Sequence, residues 1–457
     1  MIPTKDLTHY LKKYNITGPR YTSYPTAPHF KENIGFKEWN IAIEKSNNGG
    51  QDISIYIHIP FCHSLCYFCG CNMQVTKNVK KVENYLTHLA KEISLISSQL
   101  DKSKKVKQIH FGGGTPNFLT PNQIINLGNT IRKNFDFDKY IEYSCELDPR
   151  QLTQDHIKSL KKIGVNRVSI GIQDFDELVQ IKINRKNKVS QIKTVLKWLK
   201  NEGITSYNFD LIYGLPLQHI LSFDNTLNEI INLNPSRIAC YNFAYLPQLK
   251  PHHKLIKKSE LPSASQRIKL LIHTIKKLQS NGYTYIGMDH FAKNNDSLVK
   301  AQQSGNLQRN FQGYSTHKKT DLFAFGTSSI SNFGDAFFQN QKLLSGYFTQ
   351  IDADKIPLEK GIVLSKKDLI IQDVISSLMC NLKLDFNKFN LKHNINFKYF
   401  FEQELVRLNE LFIEDNFIEI HNNILIITEI GRLFIRNIVM VFDKYLNKNN
   451  SFYSKTV

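Results

Sequence analysis

From residue 53 onward, short runs of β-branched and aromatic residues alternate with longer stretches in which apolar residues return every three or four positions. The first pattern predicts strands over 53-59, 107-112, 140-147, 166-172, 206-213 and 237-245. The second predicts helices over 79-100, 121-134, 153-163, 189-202 and 223-233. Strands that alternate with helices in this way imply an α/β fold with a parallel sheet of right-handed crossovers, either an open barrel or a doubly wound sheet. Polar and glycine residues gather where the strands end, at Cys62, Gly112 to Thr115, Glu146, Gln173, Asp210 and Ala244. Ligands bind outside the carboxyl edge of such a sheet, so these positions are expected to face one cavity.

The first fifty residues lack this rhythm. Their segment Gly18-Pro19-Arg20-Tyr21-Thr22-Ser23-Tyr24-Pro25-Thr26 excludes a continuous helix, because proline lacks the N–H and fixes φ. After residue 260 the rhythm loosens into a helix at 264-281, a polar stretch at 301-320 that reads as loop, and helices from about 365. A strand at 423-428 and a helix at 429-445 close the chain. The expected divisions are an N-terminal extension at 1-50 lying over the active site, a barrel at 51-290, a connecting segment at 291-364 that completes the site, and a small, mainly helical C-terminal domain at 365-457.

A chain of 457 residues exceeds what one core usually organises, which agrees with that division. With 41% hydrophobic and 22% charged residues the composition is that of a soluble globular protein. No apolar run approaches the roughly 18 residues that span a bilayer. The first residues carry no signal-peptide pattern, so a cytoplasmic protein is expected. The formal charge of +19 changes this picture little. The lysines are scattered through the helical segments alongside abundant Asn and Ile, which reads as compositional drift and not as a nucleic-acid stripe. A basic surface would also steer an acidic small substrate inward.

The seven cysteines matter more, because Cys62, Cys66, Cys69 and Cys71 fall within ten residues. Cys145, Cys240 and Cys380 stand alone and read as small buried hydrophobes. In a reducing compartment the crowded four suggest metal ligation before disulfides. Thiolates are the ligands that iron–sulfur clusters prefer, and three in one loop can reach three corners of a cube while leaving the fourth iron open. A structural zinc site wants two separated pairs of ligands, and no second pair follows. The next strand ends in Gly112-Gly113-Gly114-Thr115-Pro116, where glycines free the backbone to approach a ligand.

The loop Cys62-x3-Cys66-x2-Cys69 after the first strand of an alternating chain resembles the signature of radical S-adenosylmethionine (SAM) enzymes. Further motifs are similar to those of the oxygen-independent coproporphyrinogen III oxidases in particular. They are Tyr56-Ile57-His58-Ile59-Pro60-Phe61-Cys62, Cys71, Gly112 to Pro116 with Thr115 in place of an acid, Glu146 in Ser144 to Arg150, Gln173 in Ser169 to Phe175, Arg185 in Ile183-Asn184-Arg185, Asp210 in Asn208 to Pro216, and Pro19 to Thr26.

The resemblance implies a partial (β/α)6 barrel with one [4Fe–4S] cluster on Cys62, Cys66 and Cys69. The open iron of that cluster chelates SAM, and reduction cleaves SAM to a 5′-deoxyadenosyl radical. It implies two bound SAM molecules, the cluster-bound one near Tyr56, Gly113, Glu146 and Ile330. The second falls near Phe68, Gly114, Thr115, Gln173, Arg185, Asp210 and Ala244. Cys71 is then a thiol beside the cluster and not a fourth ligand, since a fourth ligand would close the site to SAM. The implied reaction converts two propionates of coproporphyrinogen III to vinyl groups in haem biosynthesis. A flavodoxin or ferredoxin is the implied electron donor, and the chain is expected to work as a monomer without nucleic acid or membrane. Arg20 is a candidate partner for a substrate carboxylate. Two rival readings remain, a haem chaperone of the same branch and a radical SAM enzyme acting on tRNA.

Overall fold

The computed structural model describes residues 7–318, 320–446 and 453–456. Its centre is a twelve-stranded sheet whose members, in chain order, are β1 (Ile53–Ile59), β2 (Lys105–Gly113), β3 (Asp136–Leu147), β4 (Arg167–Gln173), β5 (Ser206–Tyr213), β6 (Arg237–Asn242), β7 (Tyr283–Gly287), β8 (His290–Lys293), β9 (Asp321–Phe325), β10 (Ile330–Phe333), β11 (Ala336–Asn340) and β12 (Leu358–Val363). Strands β1 to β6 are parallel and lie side by side in sequence order. The α-helices between them are Val79–Ser97, Pro121–Asn134, Gln154–Ile163, the short Glu177–Lys182, Val189–Asn201 and Ile220–Leu233.

The strands form because their residues alternate. On β1, Ile53, Ile55, Ile57 and Ile59 are fully buried toward the helices, and the intervening Ser54, Tyr56 and His58 take the other face. That other face is polar all the way round. Gln108 and His110 of β2, Glu142, Ser144 and Glu146 of β3, Ser169 of β4, Asn208 and Asp210 of β5, and Arg237 and Tyr241 of β6 line one space of about 120 Å³. Helix starts are fixed by side chains: Thr120 and Gln123 cap the helix after β2 reciprocally, and Ser263 and Gln266 do the same for Ala264–Gln279.

Several expectations need correction. The polar stretch at 301-320 is not simply loop. It holds the end of a helix, Ser297–Gln303, and a hairpin of Gln308–Asn310 with Gly313–Ser315. Their short polar strands bury a few groups inside the barrel and carry no long apolar period. The segment after it supplies a further parallel strand, β9, beside β1. The sheet continues through the antiparallel β10, β11 and β12 on that side and through β8 and β7 on the other. Its outer strands β12 and β7 do not pair with each other, so the barrel stays open.

Within the first fifty residues a helix spans Phe36–Gly49 and buries Trp39 against Phe333 and Phe338. Strand β6 stops at Asn242, which leaves Ala244 in the following loop. The expected helix at 429-445 is a 3-10 turn, Gly431–Phe434, leading into Ile435–Met440. The C-terminal part, helical in its larger share, also holds a small sheet of Lys383–Asp385, Ile424–Ile427 and Ile418–His421. No helix among the described residues is long and apolar enough to cross a membrane.

Candidate cluster and cofactor site

The cysteine loop leaves β1 at the carboxyl edge of the sheet and closes on itself. Phe61–Cys62 pairs with Gln74–Val75, Gln74 N donates to Pro60 O at 2.8 Å, and Cys69 N donates to Cys66 O at 3.1 Å. The rest of the protein grips the loop largely through its backbone. Tyr67 N donates to Ile183 O at 3.0 Å, and Asn184 Nδ2 donates to Leu65 O at 2.8 Å. His252 Nε2 lies 2.7 Å from Cys69 O, and Lys250 Nζ donates to Cys71 O at 3.0 Å. Loop shape is therefore held in large part by contacts to its backbone.

The thiols meet different surroundings. Cys62 and Cys66 are buried, Cys69 is half-buried and Cys71 is exposed. Burial pushes the Cys62 thiol up to about 12, partly offset by the Thr115 hydroxyl 3.3 Å away. Cys69 is shifted down, chiefly by the thiol of Cys71 donating to it, against the opposing effect of burial. Cys66 Sγ has Arg150 Nη2 at 3.5 Å and Arg185 Nη1 at 3.6 Å. Both guanidiniums are shared with Asp148, at 2.6 and 3.1 Å. Burial works to raise the Asp148 carboxyl, but Arg185 and Arg150 hold it down to about 2.

The glycine turn after β2 sits directly against this loop. Gly114 N donates to Ile59 O at 2.8 Å, and a Cβ on Gly114 would meet Phe61 O at 2.8 Å, so no larger residue fits. A Cβ on Gly112 would lie 2.9 Å from Glu146 Oε1, and one on Gly113 would lie 2.7 Å from the His58 ring. Gly113 also holds φ +112, a backbone state that glycine tolerates. Glu146 Oε1 is 3.0 Å from His110 Nε2, whose Nδ1 faces Ser144 Oγ at 2.7 Å. Tyr56 stacks on His110 with ring centroids 5.9 Å apart and reaches His58 Nδ1 at 3.1 Å.

The other expected residues occupy the same edge at different distances from the loop. Gln173 ends β4 with φ +70, uncommon for a residue with a side chain, and its amide lies near Gly171, whose carbonyl accepts from Arg185 Nη2 at 2.8 Å. Asp210 accepts from Ser169 Oγ at 2.7 Å and Asn208 Nδ2 at 2.8 Å, and burial pushes its carboxyl up to about 6. Phe68 packs with Tyr67, Phe243 and Tyr245 in one apolar cluster. Ala244 lines a separate cavity of about 620 Å³ beyond β6.

Ile330 opens β10 after the turn at Gly326 to Ser329. That turn is pinned by the fully buried Glu92, which accepts from Gly326 N at 2.8 Å, Tyr347 Oη at 2.6 Å and Asn340 Nδ2 at 2.6 Å. Arg20, the candidate partner for a substrate carboxylate, forms an ion pair with the buried Asp289.

His58, His110, Asp148, Arg150 and Glu92 were not among the expected site residues. The first two follow from the strand alternation, which places every second residue of β1 and β2 on the polar inner face. Asp148 and Arg150 carry no such signal, because their role depends on contacts with a loop some eighty residues earlier.

The donor set fits an iron–sulfur cluster. Among the described residues no three His, Cys, Asp or Glu side chains converge on a point that would hold a single metal ion. Each thiolate of a cubane cluster binds a different iron, so its ligands need to surround a volume and not a point. Three thiols on one loop, two positive groups against one of them and a glycine turn without side chains are the chemistry that such a cluster takes.

Residues 56–230 match the model of the Radical SAM superfamily. The chain is 42% identical over 444 residues to the oxygen-independent coproporphyrinogen III oxidase of Synechocystis, covering 96% of this chain and 95% of that one. It is 43% identical over 438 residues to the enzyme of the same name from Escherichia coli, with coverage of 96% and 95%. The solved structure of the Escherichia coli coproporphyrinogen III oxidase, described as a radical SAM enzyme, superposes with a TM-score of 0.90 at 40% identity over 96% of this chain and 99% of that one. Covering 95% or more of each of those relatives, with the cysteine loop, glycine turn and polar barrel interior all in place, the chain belongs to the family of oxygen-independent coproporphyrinogen III oxidases within the radical SAM superfamily.

Proposed function

We propose that this chain carries out the oxygen-independent oxidative decarboxylation of two propionates of coproporphyrinogen III to vinyl groups, giving protoporphyrinogen IX. The observation that carries the reading is the three-thiol loop against the glycine turn at the carboxyl edge of the barrel, in a chain alike from end to end to oxidases of that name. Cys62, Cys66 and Cys69 would hold the cluster. Tyr56, Gly113, Glu146 and Ile330 would surround one SAM, and Phe68, Gly114, Thr115, Gln173, Arg185, Asp210 and Ala244 a second. When bound, the cluster and SAM would supply the carbon-centred radical chemistry that decarboxylation of the propionates needs.

The protein's share is positioning, charge and exclusion of water. Backbone contacts from Ile183, Asn184, Lys250 and His252 fix the cysteine loop. Arg150 and Arg185 place positive charge against the Cys66 sulfur. The cluster of Tyr67, Phe68, Phe243 and Tyr245 presents an apolar wall beside the loop. A flavodoxin or ferredoxin is the proposed one-electron reductant.

The test is an anaerobic assay of reconstituted protein with SAM, a reductant and coproporphyrinogen III, following products by chromatography. Protoporphyrinogen IX with two 5′-deoxyadenosine per turnover supports the reading. Deoxyadenosine without a vinyl product means a different substrate. Stable haem binding with neither product favours a chaperone.

A further inference from the structure

We propose that His110 is a positioning residue of the cofactor site, which fixes the Glu146 carboxylate so that its second oxygen, Oε2, is presented to the SAM that binds the cluster. The inference rests on the proposed function, which puts Glu146 beside that SAM, and deepens it by naming the residue that sets Glu146.

His110 is on β2, and Ser144 lies directly opposite it on β3. Glu146, two residues further along β3, shares the face of Ser144, so the register of the two strands brings both side chains to one imidazole. Ring atom Nδ1 is 2.7 Å from Ser144 Oγ, and Nε2 is 3.0 Å from Glu146 Oε1. A carboxylate oxygen only accepts, so Nε2 carries the proton. In the neutral ring Nδ1 is then an acceptor, and the Ser144 hydroxyl supplies its hydrogen in preference to the Ile109 carbonyl at 3.2 Å. Both nitrogens are thereby committed. Tyr56 covers one face of the ring at an interplanar angle of 14°, and turning the imidazole would break both polar contacts.

Glu146 is held by one oxygen alone. Its Oε2 has no hydrogen bond or ion pair among the described residues, and the side chain is 43% exposed. The carboxylate is therefore oriented from one side and left as an acceptor for the N–H or O–H groups of a ligand on the other. Gly112 makes the arrangement possible, since a Cβ there would lie 2.9 Å from Glu146 Oε1 and 3.1 Å from Tyr56 Cε2. His110 thus touches two of the four residues proposed around the cluster-bound SAM, Tyr56 and Glu146.

The test measures the SAM affinity of the reduced, reconstituted protein by electron paramagnetic resonance, which reports binding at the cluster apart from any second SAM. Iron analysis and circular dichroism check cluster and fold. His110→Phe keeps a ring against Tyr56 and removes the donor, whereas His110→Gln returns an N–H near the position of Nε2. We expect His110→Phe to raise the Kd about tenfold and His110→Gln to recover most of that loss. Because His110 acts through Glu146, the double variant His110→Phe with Glu146→Gln should bind no worse than Glu146→Gln alone. An unchanged Kd in His110→Phe with its cluster intact, or a double variant whose loss is the product of the two single losses, overturns the assignment, and the proposed function stands if wild type still forms vinyl product. Should His110→Phe not fold, Ser144→Ala takes away the hydroxyl behind the ring and should raise the Kd about threefold, an unchanged value again overturning the assignment. If SAM leaves the resonance of wild type unaltered and no vinyl product forms, the inference and the proposed function fall together.

Discussion

Arg185 and Asp148 are joined by a 3.1 Å ion pair, and the same Arg185 nitrogen lies 3.6 Å from Cys66 Sγ. Arg150 repeats the arrangement from the other side, so one carboxylate balances two guanidiniums beside one sulfur. Asp148→Asn keeps the shape and removes the balancing charge. The cluster should then be easier to reduce, its midpoint potential moving up by on the order of tens of mV. A redox titration followed by electron paramagnetic resonance measures this, and an unchanged or lower potential would contradict it.

Of the four crowded thiols Cys71 alone is exposed, where Cys62 and Cys66 are buried and Cys69 is half-buried. Cys71→Ser should therefore retain about four irons per chain after reconstitution, whereas serine at Cys62, Cys66 or Cys69 should lose most of them. Iron and sulfide analysis of the four variants decides between a three-ligand and a four-ligand site.

Gly114 has no room for a methyl group, because its Cβ would press on the carbonyl of Phe61 at 2.8 Å. Gly114→Ala should displace the start of the cysteine loop and destabilise the protein by about 1–3 kcal/mol. Reduced iron uptake together with a lower urea midpoint is the expected pair of results.

The Arg20 to Asp289 pair joins the N-terminal segment to the turn between β7 and β8. Arg20→Met strands a buried carboxylate and should cost about 3 kcal/mol, while the double change Arg20→Met with Asp289→Leu should recover part of that loss. Urea unfolding of the single and double variants reads the difference. A double variant no better than the single would mean that the stranded carboxylate is not what costs the single variant its stability.

Glu92 supplies a pH dependence. Burial raises its carboxyl from 4.5 to about 7, although Tyr347, Gly326 and Asn340 all donate to it. The folded state therefore holds a proton that the unfolded state releases between those values, and stability falls as pH rises across that window. The loss amounts to about 3 kcal/mol. Glu92→Gln should flatten it, so that the variant's denaturation midpoint, whatever its absolute level, declines less than that of wild type between pH 4.5 and 8.

The six βα units were legible because each strand buries isoleucine, valine or phenylalanine toward a helix with its own period. The cysteine loop was legible because its ligands are close in sequence. The hairpin at Gln308–Ser315 was not, since its strands are three residues long and their polar side chains find partners only inside the barrel, as Ser315 does with Gln108 at 3.3 Å. Strand β9 follows the same polar stretch and is recognised as parallel only through its pairing with β1. The engagement of Arg20 was hidden for a related reason: Asp289 lies 269 positions away, and nothing local marks the two as partners.

The segment around Gly18 is held by residues near the other end of the chain. Arg436 donates to the carbonyls of Pro19 and Gly18 and, at 2.8 Å, to that of Lys455, and Thr17 bridges Lys455. The stretch at Gly18 and Pro19 thus finds its partners only once Arg436 and Lys455 have been made. While the barrel grows unit by unit during synthesis, the stretch carrying Arg20 must wait, and the cavity it borders gains that wall only after residues from a much later part of the chain have emerged.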